Sequence, residues 1–166
     1  MNDLSRLISR AEALLERIET LLPLPANAPD WKASTAFRWR KRGGHGHLEP
    51  VARPHRIRLK DLRNVDEQKQ RIEQNTRQFV EGRSANNVLL TGARGTGKSS
   101  LIKACLNEFA AQGLRLIEVD KADLVDLPDI VDLVADRRER FVVFCDDLSF
   151  EASDPGYKSL KVALDG

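Results

Sequence analysis

The sequence predicts an α/β fold: a partial parallel sheet with flanking helices, preceded by an N-terminal helix and a basic linker. Three observations carry that prediction. From Asn87 onward, short apolar runs alternate with stretches of helical periodicity. The run Phe141–Cys145 is continuously apolar, as a parallel strand covered on both faces requires. Gly113 closes a helical pattern immediately before the next apolar run, the usual place for a C-terminal glycine. With 166 residues, 41% hydrophobic and 31% charged, the chain has apolar mass for one core.

Taken in order, residues 1–22 hold an amphipathic helix, with Leu4, Leu7, Ile8, Ala11, Leu14, Leu15, Ile18, Leu21 and Leu22 recurring every three or four positions. Pro23 and Pro25 end it. Residues 23–58, with five prolines and Gly43, Gly44 and Gly46, read as a Pro/Gly-rich basic linker with one short ordered piece around Trp31–Trp39. Residues 59–166 make up the core. A helical pattern spans 61–81, a strand 87–91, a helix 97–112, and a second strand 114–119. A third helix opens at Pro128, a third strand covers 141–145, and a last helix covers 157–164.

Charge is divided along the chain. Lys and Arg total 27 and Asp and Glu 25, for a net charge of +2. Residues 31–63 nevertheless carry ten bases against two acids, and residues 116–155 twelve acids against four bases. An aromatic content of 5% disfavours a nucleic-acid surface built from stacked rings. No stretch approaches the roughly 20 apolar residues that span a bilayer, so no membrane partner is expected. Asp3, Arg6, Arg10 and Glu12 are unlike a secretory signal, and two cysteines, Cys105 and Cys145, make no disulfide framework. A cytoplasmic location follows as the expectation. His45, His47 and His55 lack the Cys or carboxylate companions of a metal site and read as loop histidines.

One segment carries chemistry. Gly92-Ala93-Arg94-Gly95-Thr96-Gly97-Lys98-Ser99 matches G-x-x-x-x-G-K-[ST] at every fixed position, after an apolar run and at the start of a helix. Glycines let successive N–H groups turn inward toward phosphate oxygens, and the helix N-terminus, including Ser100, adds its dipole. Lys98 supplies positive charge for the β and γ phosphates, and the Ser99 hydroxyl is a ligand for Mg²⁺. The complementary acid stands at the end of an apolar run 48 positions after Lys98: Asp146, a second Mg²⁺ ligand. Asp147 occupies the place of a residue that orients attacking water. The aspartates between 120 and 136 read as solvated helix charge, and both cysteines as core residues.

The stretches ANNVLLTGARGTGKSSLIKA (85–104), GLRLIEVDKADLVDLPDIVDLV (113–134) and RFVVFCDDLSFEASDPGYKSLKVALDG (140–166) resemble the nucleotide-binding core of AAA+ P-loop ATPases. Within these they are similar to a poorly characterised bacterial family of ATP-binding proteins. The resemblance implies ATP with Mg²⁺, Lys98 and Ser99 as the Walker A pair, and Asp146 and Asp147 as the Walker B acids. It also implies adenine contacts from residues 59–79, Val65 among them, with Asn64 standing where the family usually has glycine. GTPases and small-molecule kinases share the loop; the resemblance sets them behind.

Such a core has five parallel strands in the order 5-1-4-3-2, of which this chain supplies one, two and three. A gap is therefore expected between the strand preceding the phosphate loop and the one bearing Asp146, with strands four and five and the lid absent. The expected function is ATP binding, with hydrolysis coupled to macromolecular remodelling by a homo-oligomer in the complete protein. This C-terminally truncated chain is expected to bind nucleotide at most. The alternative is a nucleotide-gated adaptor or nucleic-acid-associated loader that uses the basic segment 31–63, and against it stands a basic linker that docks on the acidic face of its own or a neighbouring domain.

Overall fold

Four strands form one sheet in the computed structural model, which describes residues 29–148 and, outside that span, residues 8, 10–14, 158, 160 and 161. The strands are β1 (Ala36–Arg42), β2 (His45–Pro50), β3 (Leu114–Glu118) and β4 (Arg140–Phe144). Their order is β2-β1-β3-β4. β1 and β2 are antiparallel, whereas β1–β3 and β3–β4 are parallel, so the sheet is mixed and not wholly parallel. Three helices flank it: α1 (Asp66–Val80), α2 (Lys98–Phe109) and α3 (Leu127–Val134).

Alternation along the strands assigns the two faces. Phe37, Trp39, Leu48, Ile117 and Val119 point to one side, where Leu124 and Ile130 of the acidic 121–134 segment cover them. Ala36, Leu114 and Leu116 point to the other, against Leu106 and Phe109 of α2, with Phe79 and Val80 of α1 at the margin. A third cluster joins Leu59 and Ile72 to Leu101, Ala104 and Cys105, tying the segment before α1 and α1 itself to the start of α2. Trp31 closes the first face, edge-on to Phe37 at 5.0 Å and to Phe141 at 5.1 Å.

The basic linker expected over 23–58 is, in its middle, a β-hairpin. Gly43 and Gly44 form its two-residue turn with φ of 59° and 83°, the positive values that this tight connection needs. Trp39 is 2% exposed, and its indole lies so close across the opposite strand that a Cβ on Gly46 would sit 1.8 Å from Cζ2. The Trp39 Nε1–H donates to Asp126 Oδ2 at 2.9 Å. Ser34 anchors the hairpin's base, donating to the Val51 carbonyl and accepting from the Ala36 N–H.

The acidic face of the domain does receive the basic hairpin. Arg38 pairs with Glu118 at 2.8 Å, Arg40 with Asp120 at 2.9 Å, and Lys41 with Asp126 at 2.8 Å and Asp123 at 3.5 Å. The hydrogen bond to Asp126 holds the Lys41 amine above its ordinary value.

The other boundaries shift modestly. The expected helix over 61–81 starts at Asp66, after a 3₁₀ turn at Leu59–Asp61. The helix over 97–112 begins at Lys98 and tightens to 3₁₀ over Ala110–Gln112 before Gly113 at φ 95°. Of the helices expected over 3–22 and 157–164, residues 8, 10–14, 158, 160 and 161 are described and helical; the rest lies outside the described residues. Ile8 and Leu14 are 49% and 56% exposed. Among the described residues no helix is long and apolar enough to cross a membrane.

The strand expected at 87–91 is the larger departure. Asn87–Thr91 takes no place in the sheet, and Val88 and Leu89 are 48% and 75% exposed. An apolar run becomes a strand only where another backbone completes its hydrogen bonds, and among the described residues no strand lies alongside Asn87–Thr91 to do so.

Gly46→Ala forces the Trp39 indole aside and should cost about 1–3 kcal/mol, the usual range for overpacking. Trp39→Phe keeps the ring but loses the bond to Asp126, an expected cost of about 1–3 kcal/mol for a hydrogen bond to a charged group. Urea unfolding followed by circular dichroism measures both; equal stability of G46A and the parent would contradict the indole–glycine contact.

Candidate functional site

The segment 92–99 folds back on itself where the apolar run meets α2. Gly92, Gly95 and Gly97 have φ of 140°, 81° and 85°. A side chain would strain each of these positions, although a Cβ on Gly95 or Gly97 would meet no atom within 4 Å. The loop therefore owes its glycines to backbone conformation and not to crowding at Gly95 or Gly97. Gly97 precedes α2 and offers no side-chain cap, so the first N–H groups of this twelve-residue helix have no side-chain acceptor.

Side chains brace the loop from within. Lys98 Nζ donates to the carbonyls of Gly92 at 2.9 Å and Ala93 at 2.8 Å, and Thr96 Oγ1 donates to Ala93 at 2.9 Å. Arg94 is exposed at the loop's tip, and Ser100 is half-buried in the first turn of α2.

The second half of the site comes from the end of β4. Ser99 Oγ donates to Asp146 Oδ2 at 2.6 Å, across 47 positions of sequence. The Asp147 N–H donates to Asp146 Oδ1 at 3.0 Å, so both carboxylate oxygens are aimed. Asp147 itself sits at φ 51°, a left-handed conformation that aspartate tolerates better than most residues. Its side chain is exposed, and no protein partner holds its carboxylate among the described residues. Ser99 and Asp146 are hard oxygen donors already in contact, which suits Mg²⁺ completed by phosphate oxygens and water. Among the described residues no group of three or more His, Cys, Asp or Glu could hold a metal alone.

Residues flanking the loop are tied to it through packing. Val65 is half-buried and caps α1, and Leu62, three residues earlier, shares a cluster with Leu90 and Leu101 on either side of the loop. Val65 is thus linked to the loop indirectly. Asn64 has φ 60°, the conformation that favours a glycine at that position. Sequence reasoning missed Asn75, whose side chain donates to the Asn86 carbonyl and accepts from the Asn86 N–H, both at 2.8 Å. This two-bond clamp positions the run that leads into the loop; only an Asn–x₁₀–Asn spacing in the sequence hinted at it.

A family profile described as "Protein of unknown function (DUF815)" matches residues 32–166. The chain belongs to this family. The match begins just ahead of β1, so the hairpin, the glycine loop and Asp146 all lie inside the DUF815 unit, and the N-terminal segment before residue 32 lies outside the match. No curated protein and no solved structure matches the chain.

Neither cysteine of this DUF815 chain is built for reactivity. Burial pushes the Cys105 thiol up to about 12, and burial together with the charges of Asp120 and Asp146 pushes Cys145 up to about 11. Both folded values lie above the unfolded one, so the stability they contribute is complete below pH 9 and is lost as pH rises through 11 and 12. At pH 8 a thiol at about 11 is ionised about a hundredfold less than one at 9. Alkylation of native Cys145 by iodoacetamide should be slower than in urea by about that factor; equal rates would show the thiol to be free. Asn64→Gly should gain up to about 1 kcal/mol by relieving the left-handed position, and Asn64→Val should lose about 1–2 kcal/mol, read from urea midpoints.

Proposed function

We propose that this chain binds ATP or ADP with Mg²⁺ at residues 92–99. ATP hydrolysis by a homo-oligomer would be coupled to remodelling of a macromolecular partner, as in AAA+ P-loop ATPases. The observation that carries this reading is the 2.6 Å bond from Ser99 to Asp146. Two residues distant in sequence, each of a type that ligates Mg²⁺ beside phosphate, meet at the foot of a glycine loop. An accidental glycine turn has no reason to bring a strand-end carboxylate to its serine.

The chemistry of each group follows from its position. Loop N–H groups and the N-terminus of α2 present donors and positive potential to phosphate oxygens. Lys98 has neutral carbonyl acceptors, and a phosphate would compete for its ammonium through stronger charge-assisted bonds. Mg²⁺ held by Ser99 and Asp146 would neutralise phosphate charge. Asp147, with its carboxylate exposed beside Asp146, is the residue assigned to orienting water. Val65 and its neighbours are assigned to the base, on the flank where Leu62, Leu90 and Leu101 pack together. The two free thiols fit a reducing, cytoplasmic setting.

Titration with a fluorescent ATP analogue, with and without Mg²⁺, tests the reading. Mg²⁺-dependent binding is expected, weakened at least about tenfold by Lys98→Ala, the loss of one charge-assisted contact. Asp146→Asn should remove most of the Mg²⁺ dependence, whereas Asp147→Asn should leave binding intact. A folded chain that binds no analogue at millimolar nucleotide would overturn the proposal.

A further inference from the structure

We propose that the strip Arg53–Arg63 is a docking surface for the phosphate backbone of nucleic acid, separate from the nucleotide loop. The basic segment of this chain divides into two electrostatically different halves. In the hairpin, three of the four bases of β1, Arg38, Arg40 and Lys41, are each paired with a carboxylate of the same domain, and Arg42 at the turn is exposed with no ion pair among the described residues. In the following stretch Arg53, Arg56, Arg58, Lys60 and Arg63 are all exposed, and no carboxylate of the described residues forms an ion pair with any of them. The single acid of that stretch, Asp61, accepts the Arg58 N–H at 2.8 Å and adds one negative charge against five positive.

The strip is fixed, not a loose basic tail. Asn107 on α2 donates from one amide nitrogen to the carbonyls of His55 and Ile57, both at 2.7 Å. Leu59 is buried against Leu101 and Ala104, and Ile57 and Leu62 pack beside it. Apolar residues 57, 59 and 62 thus face the domain while 56, 58, 60 and 63 face water. Arg56 and Arg58 line a cleft of about 420 Å³ together with Asn107 and Glu108. Holding five like charges on one ordered ridge costs self-repulsion, which a polyanion would offset by neutralisation and counterion release.

The chemistry of the ridge favours a phosphate backbone over other anions. Its exposed members carry no aromatic or aliphatic anchor of the kind that dominates protein–protein affinity. Among the described residues the exposed large apolar side chains lie elsewhere, at 8, 14, 88, 89, 125, 131 and 133, so the ridge lacks the apolar face of a membrane-surface element. Without rings to stack on bases, recognition is of charge and independent of sequence.

Fluorescence anisotropy with a fluorescein-labelled duplex DNA of about 30 base pairs tests this on the 166-residue chain. Five contacts predict that log K falls with log salt at a slope of about −4 to −5. R56A/R58A/K60A should flatten the slope by about 2 to 3 and weaken binding at least about tenfold at low salt. The same variant should keep its binding of the fluorescent ATP analogue, which separates this surface from the nucleotide loop. R56K/R58K/K60R should restore the slope, because charge alone is read. R40A/K41A, which removes hairpin cations already paired, should change the slope by less than about 1. The proposal fails if the folded chain does not bind duplex at low salt, or if R56A/R58A/K60A matches the parent. It fails equally if R40A/K41A causes the larger loss, or if phosphatidylserine vesicles bind the strip and DNA does not.

Discussion

β3 is hydrogen-bonded on both edges and covered on both faces, and the other described elements take their places from it. All five of its residues pair with β4 on one side and three of them, Leu116, Ile117 and Glu118, with β1 on the other, and Leu114, Leu116 and Ile117 are at most 2% exposed. Apolar burial on both sides stabilises such a strand, at roughly 25 cal/mol per Å² removed from water. Because successive residues alternate, β3 dictates which layer each partner meets: α2 below Leu114 and Leu116, the 121–134 segment above Ile117. Polar Glu118, at its end, meets Arg38 and, at 3.6 Å, Lys103. One short strand thus sets the layers that hold α2, and with it the loop at α2's start.

Charge then decides what joins the sheet. β1 adds in parallel beside β3 although three of its seven residues are arginine and one is lysine. Its apolar members, Phe37 and Trp39, go into the core, and Arg38, Arg40 and Lys41 reach Glu118 at the end of β3, Asp120 just after it and Asp126 in the 3₁₀ segment Lys121–Asp126. Each exposed pair contributes little alone. Together with the Trp39–Asp126 bond, they give the hairpin a specific register on a face that would otherwise repel itself.

The meeting of Ser99 with Asp146 could be anticipated from residue types at fixed offsets: the motif Gly92 to Ser99 puts the serine at the start of a helix, and the apolar run before Asp146 puts the carboxylate at a strand end. Gly113 and Pro128 likewise marked helix boundaries correctly, since backbone conformation alone selects them. The hairpin was hidden by its composition. Phe37, Trp39 and Leu48 are spaced for a half-buried strand, yet arginines, histidines, glycines and prolines around them resemble a solvated connector, and Gly43-Gly44 reads equally as a hairpin turn or a flexible joint. At Asn87–Thr91 the pattern misled in the opposite sense. Apolar composition is a property of the run itself, whereas pairing requires a neighbour, and no neighbour is written into those five residues. The Asn75–Asn86 clamp escaped for the same reason, being a pairing across a helix and a turn.

The unpaired run has a colloidal consequence. Leu89 and Val88 stand in water, and among the described residues the outer edge of β4 has no strand beside it. Backbone donors and acceptors next to exposed apolar side chains form a template on which a second molecule can add a strand. The chain's small net charge of +2 supplies little long-range repulsion to keep two such molecules apart. Concentration, more than temperature, is then the variable that limits how long this fold stays dispersed, and protein held dilute and away from its isoelectric point will outlast protein that is stored concentrated.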